Sequence, residues 1–384
     1  MASWDIPADV AVAAGAPQND WLESGVPELT GRPDEPPLVP PGAAATVALG
    51  CEAAYAALRG APADRSWHRL LSARAAHIGW QRNGPWSLGG TCRAVRCSDG
   101  FVVVNLARPE DVESVAAVVE HDHIVARSED AWDLLDKWAA GTTADNAAAR
   151  LQLLDLPGGV VPPRSAWWSD STATPGAARN PVVRIDVSEG PRRDTAPLVV
   201  DLSALWAGPL CSKLLGDAGS RVVKVEIDGR PDGGRRGNAE FYEFLHSGHE
   251  SVVIDRGDRD SMTQLIADAD VVIEASRPRA LQSWGIDAYD VCRESTTTWV
   301  SITAFGRRFP DRVGFGDDVA MAAGLAAREL GDDWPLPCGD AIADPLTGMH
   351  AAVHALASYR AGGSRLLDIS MAEVVASTVA WSAA

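Results

Sequence analysis

The C-terminal half of the chain alternates short apolar runs with amphipathic stretches. Residues 198–202 (LVVDL) form a short apolar run, fit for a strand buried on both faces. Ala207-Gly208-Pro209 opens a helix behind it, since proline at the first helical position loses only an N–H that would be an orphan there. That helix is expected to run to about Asp217 and end at Gly219. Further strands are predicted at 221–225, 251–255, 271–274, 299–303 and 366–369. Helices are predicted at 258–269, with Asp258 as N-cap, at about 318–328 and 345–360, and after the last strand. Strands and helices in this alternation predict an α/β fold with a doubly wound, mostly parallel sheet. Ligands of such sheets bind beyond the carboxyl ends of the strands.

The N-terminal half is less regular. Helices are predicted at about 43–59, 67–78, 109–121 and 130–154, and a hairpin at 90–106 with Ser98-Asp99-Gly100 as its turn. This pattern suits a smaller α+β domain. Residues 162–196 are rich in Pro, Ser, Thr, Gly and Arg without a sustained period, and read as a linker. The expected organisation is therefore 1–161, a linker at 162–196, and 197–384. A compositional echo relates residues 24–60 to residues 323–362, each passing from a glycine-bounded loop through prolines into an alanine-rich helix.

Composition narrows the chemistry. Of 384 residues, 46% are hydrophobic and 22% charged, with a formal net charge of −18. Such an acidic surface repels nucleic-acid phosphates and anionic lipid, so neither is expected as a partner. An anionic ligand would need a local cluster of Arg and Lys. The six cysteines form no CxxC pair and no histidine cluster completes a zinc pattern, so no metal is expected and the thiols read as reduced and cytoplasmic. The first ten residues carry Asp5 and Asp9 and lack the apolar stretch of a signal peptide. No segment approaches the ~18 uninterrupted apolar residues of a membrane helix.

The order of motifs is more specific. PLVVDLSALWAGPLCSKLLGDAGSRVVKVE (197–226), SVVID (251–255), DADVVIEASRPRALQSWGID (268–287), ITAFG (302–306), GFGDD (314–318), ADPLTGMHAAVHALASYRAG (343–362) and LLDISMAEVV (366–375) resemble the class III (CaiB/BaiF) CoA-transferases in order and spacing. WLESGVPELTGRPDEPPL (21–38), GGTCRAVRCSDGFVVVNLARPEDV (89–112) and LQLLDLPGGVV (151–161) resemble segments that in the family follow the catalytic one. The chain thus reads as a tail followed by a head.

The resemblance implies a Rossmann-like CoA-binding domain and exchange of CoA between an acyl-CoA and a carboxylic acid. It assigns to Asp317 the carboxylate that attacks the thioester, with Asp318 the alternative. The residue type suits the task, because a carboxylate can become a temporary acyl donor and split one exchange into easier steps. An aspartate at a helix start is also a favoured cap. The family's glutamine four residues on is Met321 here.

Related 2-methylacyl-CoA racemases carry a His where this chain has Gly316, and pair it with an aspartate at the position of Asp344. Racemisation needs two opposed proton carriers, so Gly316 disfavours it. Asp344 reads otherwise as a helix cap before Pro345.

The resemblance places CoA-binding groups at Gly208, Lys224, Arg230, Arg235, Arg236, Arg277 and Arg279, with His249 where a basic residue is usual and Glu250 as an unfavourable neighbour. It also implies a homodimer, with an interlocked and a permuted arrangement both open. Two other readings stand beside this one: a non-catalytic member that binds CoA esters next to a second chain, and a nucleotide-binding oxidoreductase, which lacks its phosphate fingerprint.

Overall fold

The computed structural model describes residues 17–122, 125, 127–164, 181–329, 331 and 333–380. Seven strands form the larger sheet: β4 (Val182–Ser188), β5 (Leu198–Asp201), β6 (Arg221–Ile227), β7 (Glu250–Ile254), β8 (Val271–Glu274), β9 (Thr298–Thr303) and β10 (Ser364–Ser370). Their order is β4-β10-β9-β8-β5-β6-β7. All neighbours pair in parallel except β4, which runs antiparallel along β10.

The apolar runs are continuous because both faces of the central strands are covered. Val199, Ile273 and Val300 share one core with the helices Ala207–Asp217 and Ala343–Ala361. Val200, Val272 and Trp299 face the other way, onto Met262 and Ile266 of the helix Arg259–Ala267. Asp258 caps that helix as expected, its carboxylate accepting from the Ser261 N–H.

The N-terminal half divides between two cores. The helix Ala44–Arg59 packs on Ala343–Ala361, and Trp21, Val26 and Leu71 join the same cluster. Residues 92–161 build a separate antiparallel sheet of β1 (Cys92–Arg96), β2 (Phe101–Asn105) and β3 (Gly158–Val161). Its helices cover a core of Val95, Val102, Val104, Leu135 and Leu151.

Several expectations shift. The run 130–154 is two helices, Ser128–Ala139 and Ala144–Leu153, because Gly141-Thr142 breaks it and the Thr143 hydroxyl accepts from Asn146 N–H as a new N-cap. The helix expected at 318–328 is Gly316–Ala322, closed by Gly324 at φ +98°. Within the stretch read as a linker, Val182–Ser188 forms the edge strand β4; residues 165–180 of that stretch lie outside the described residues.

Candidate active site

The helix Gly316–Ala322 and the loop 338–344 meet in a cluster of four aspartates. Asp318 sits at the third helical position and completes a capping box: its Oδ1 accepts from Phe315 N–H at 2.9 Å and from Asn105 Nδ2 at 3.0 Å. It has no exposed surface. Asp318 is therefore the cap, and Asp317, in the first turn rather than before it, is not. Asp317 Oδ1 instead accepts from the N–H of Ala341 at 2.9 Å. Ala341 adopts φ +41°, an uncommon conformation for a residue with a Cβ, and so directs that N–H back toward the helix.

Asp340 is engaged by Arg74, whose Nε and Nη2 reach its two oxygens at 2.9 and 2.5 Å. The guanidinium also lies 4.9 Å from the Trp206 ring. Asp344 stands at the second position of the 19-residue helix Ala343–Ala361. Its carboxyl takes no hydrogen bond from a described residue, and the residue as a whole is only part-buried, so the expectation of a helix cap gives way to an unpaired carboxyl. Gly316 makes this placement feasible. A Cβ there would lie 2.2 Å from Asp344 Oδ2 and 2.4 Å from the Ala341 carbonyl.

Burial, with a smaller contribution from like charges, raises the proton affinity of the three acids that form no ion pair with a described residue. Burial and the charge of Asp340 lift Asp317 to about 6, against the opposing pull of Arg74 and the Ala341 N–H. Burial lifts Asp344 to about 7, with Arg74 opposing and the charges of Asp317, Asp340 and Asp318 adding to it. Asp318 rises to about 7, chiefly through burial, although Asn105 and Phe315 N–H stabilise its anion.

Both sides of the chain build this site. Arg74 comes from the helix Ala73–Ile78 and Asn105 from the end of β2, while Thr30 Oγ1 accepts from Gly339 N–H at 3.0 Å and braces the loop. None of these three residues carried a signal in the sequence, because their role exists only after the two halves dock. Met321 is fully buried against Cys92, Phe101 and Val103, so its role is to seat this helix on the small sheet.

The expected CoA-binding groups scatter. Lys224 is buried, bridging Asp232 at 3.0 Å and Asp201 at 3.8 Å and donating to the Ser203 carbonyl. Gly208 makes room for Ser203, whose Oγ lies 2.1 Å from where a Cβ would stand. Arg235 forks onto Glu226 and stacks on Tyr242, 4.6 Å from the ring centre. Arg277 and Arg279 both reach Asp155 Oδ2, at 2.9 and 3.5 Å, tying the Rossmann-like part to the small domain. His249 packs on Gly216 and has its proton affinity lowered by burial. Glu250 is neutralised by Arg221 at 2.7 Å. Arg230 and Arg236 are exposed and form no ion pair with a described residue. Arg230 lines a cavity of about 380 Å3 with Arg256, Leu202, Ile227, Ser276 and Trp284, beyond the carboxyl ends of β5, β6 and β8.

Residues 197–384 match the family model described as CoA-transferase family III. This half of the chain belongs to that family. A succinyl-CoA–D-citramalate CoA-transferase of Chloroflexus aurantiacus is 30% identical over 46% of this chain and 48% of its own. A probable CoA-transferase of Mycobacterium tuberculosis is 32% identical over 46% of this chain and 25% of its own. A crystal structure of a CaiB/BaiF family protein from Brucella suis superposes with a TM-score of 0.44 and 25% identity, covering 48% of this chain and 54% of that one. The chain thus spans about half the length, or less, of the curated relatives it matches. Within the CoA-transferase family III half lie the helix of Asp317, the helix of Asp344 and the arginine cleft. Arg74 and Asn105 come from outside it. No described helix is long and apolar enough to cross a membrane.

Proposed function

We propose that the chain moves CoA between an acyl-CoA donor and a carboxylic acid acceptor through an acyl-aspartyl and then an aspartyl-CoA intermediate. The observation that carries this reading is the free carboxylate of Asp344 beside Asp317. Sequence resemblance gave the covalent role to Asp317. The geometry supports Asp344 better, because Asp317 already holds the Ala341 N–H, Asp318 is spent as a cap and Asp340 on Arg74.

In this scheme Asp344 attacks the thioester carbonyl. The C–S bond breaks, leaving a mixed anhydride and the CoA thiolate. The thiolate then attacks the aspartyl carbonyl and releases the donor acid as its carboxylate. The acceptor carboxylate attacks the resulting aspartyl-CoA thioester, whose C–S bond breaks to leave a second mixed anhydride and the CoA thiolate. The thiolate then attacks the acceptor's carbonyl, forming the new acyl-CoA and releasing the Asp344 carboxylate. Asp317 and Arg74 set how readily Asp344 ionises. Arg230 and Arg256, at the strand ends, suit the phosphates of CoA, because guanidinium forks match phosphate oxygens.

Racemase chemistry is disfavoured sterically as well as chemically: no side chain at position 316 fits while Asp344 and Ala341 hold their places. The test is to incubate the full chain with acyl-CoA and hydroxylamine. An aspartyl hydroxamate at residue 344, found by mass spectrometry, supports the scheme. A hydroxamate at 317 moves the covalent role there, and none at either residue refutes the scheme.

A further inference from the structure

We propose that a second cleft, on the far side of the helix Gly316–Ala322, binds a monocarboxylate with an apolar body, held by Arg312. The cleft has a volume of about 620 Å3 and lies between Ala148 of the small domain, the loop 305–312, Ala322 and Ala376. It does not include Asp317 or Asp344 in its lining.

Arg312 is half-buried there. Its guanidinium carbon lies over the Phe305 ring, 3.3 Å from the ring centre, and the group forms no ion pair with a described residue. The Nε is buried without an acceptor. A half-buried fork that feels the charge of Asp318 but is ion-paired to no described carboxylate carries a desolvation cost, and a carboxylate matches it bidentately. The backbone makes room for the fork: a Cβ on Gly159 would lie 3.0 Å from Arg312 Nη2 and 3.0 Å from the Ala322 Cβ.

The rest of the lining fixes the ligand class. Phe305, Phe309, Val160 and the small side chains of Ala148, Ala322 and Ala376 present an apolar bed. The charged lining is Arg308, Arg312, Asp145 and Glu373, with Arg308 already 3.7 Å from Glu373. The formal charges cancel, so one extra negative charge is tolerated and a phosphate dianion or a dicarboxylate is not. An acid with an aliphatic or aromatic body meets both halves of the cleft.

Titration calorimetry of the full chain at pH 7.5 with octanoate and octan-1-ol tests this. Octanoate is expected to bind saturably, and octanol about tenfold more weakly or worse. Arg312→Gln should weaken octanoate by about tenfold or more while leaving octanol unchanged. Phe309 is exposed, so Phe309→Ala leaves the fold intact and should weaken both ligands. Asp344→Asn should change neither, which separates this cleft from the transfer chemistry. Equal binding of acid and alcohol, or parental octanoate affinity in both Arg312→Gln and Phe309→Ala, overturns the proposal.

Discussion

Gly316 and Asp344 share one space: the carboxylate Oδ2 of Asp344 lies 2.2 Å from the point a Cβ on Gly316 would occupy. The absence of a side chain at 316 is thus a condition for a free carboxylate at 344. Gly316→Ala must displace Asp344 or the Ala341 turn. Overpacking of this kind costs about 1–3 kcal/mol. CoA exchange should fall far more than the melting temperature, and Gly316→His should give no racemase. Parental exchange in Gly316→Ala would disprove the dependence.

Asp344→Asn should abolish CoA exchange yet bind CoA with parental affinity, since the arginines proposed to hold the phosphates are elsewhere. Asp317→Asn should lower turnover and leave residual exchange, because Asp317 acts through its neighbour. Equilibrium CoA binding and steady-state exchange, measured on both variants, check the pair.

The pH dependence follows from the same cluster. An attacking carboxylate must be ionised, so exchange should climb with pH and level off above about 7, where Asp344 loses its proton. Arg74→Gln removes the cation that favours ionisation and should move this limb to higher pH. A limb centred at about 4, the unperturbed aspartate range, would contradict the assignment.

Stability carries the opposite sign. The folded chain holds the Asp344 proton more tightly than the unfolded chain, where aspartate titrates at about 3.9. The stabilisation is full below that value and is lost as pH rises through about 7. Asp344→Asn keeps a neutral side chain throughout. It should therefore melt above the parent at pH 8 and close to it at pH 4, as scanning calorimetry can read.

Two basic residues with similar sequence credentials should behave differently. Lys224→Ala leaves Asp201 and Asp232 buried without their cation, a loss of about 3–5 kcal/mol. Arg230→Ala should leave the melting temperature alone and raise KM for acyl-CoA several-fold, the signature of a contact made equally in ground and transition states.

The central parallel strands were legible because burial on both faces writes short, mostly apolar runs into the sequence. β3 was not, since Gly158 and Gly159 carry no strand pattern and are placed by packing: a Cβ on Gly158 would strike the Val103 carbonyl at 2.4 Å. The acids at 317, 318 and 344 were legible as candidates, but not their ranking. That depends on which N–H or guanidinium reaches each one, and those come from a nearby loop (Ala341), the end of β2 (Asn105) and a helix more than two hundred residues earlier (Arg74). For the same reason the sequence could not tell Lys224, enclosed by its own fold, from Arg230, left at the rim.

The acids and the guanidinium that engages one of them come from opposite parts of the chain: Asp317, Asp318, Asp340 and Asp344 lie within residues 197–384, whereas Arg74 lies outside them. A fragment cut to residues 197–384 would therefore carry all four carboxyls and lack the cation that grips Asp340.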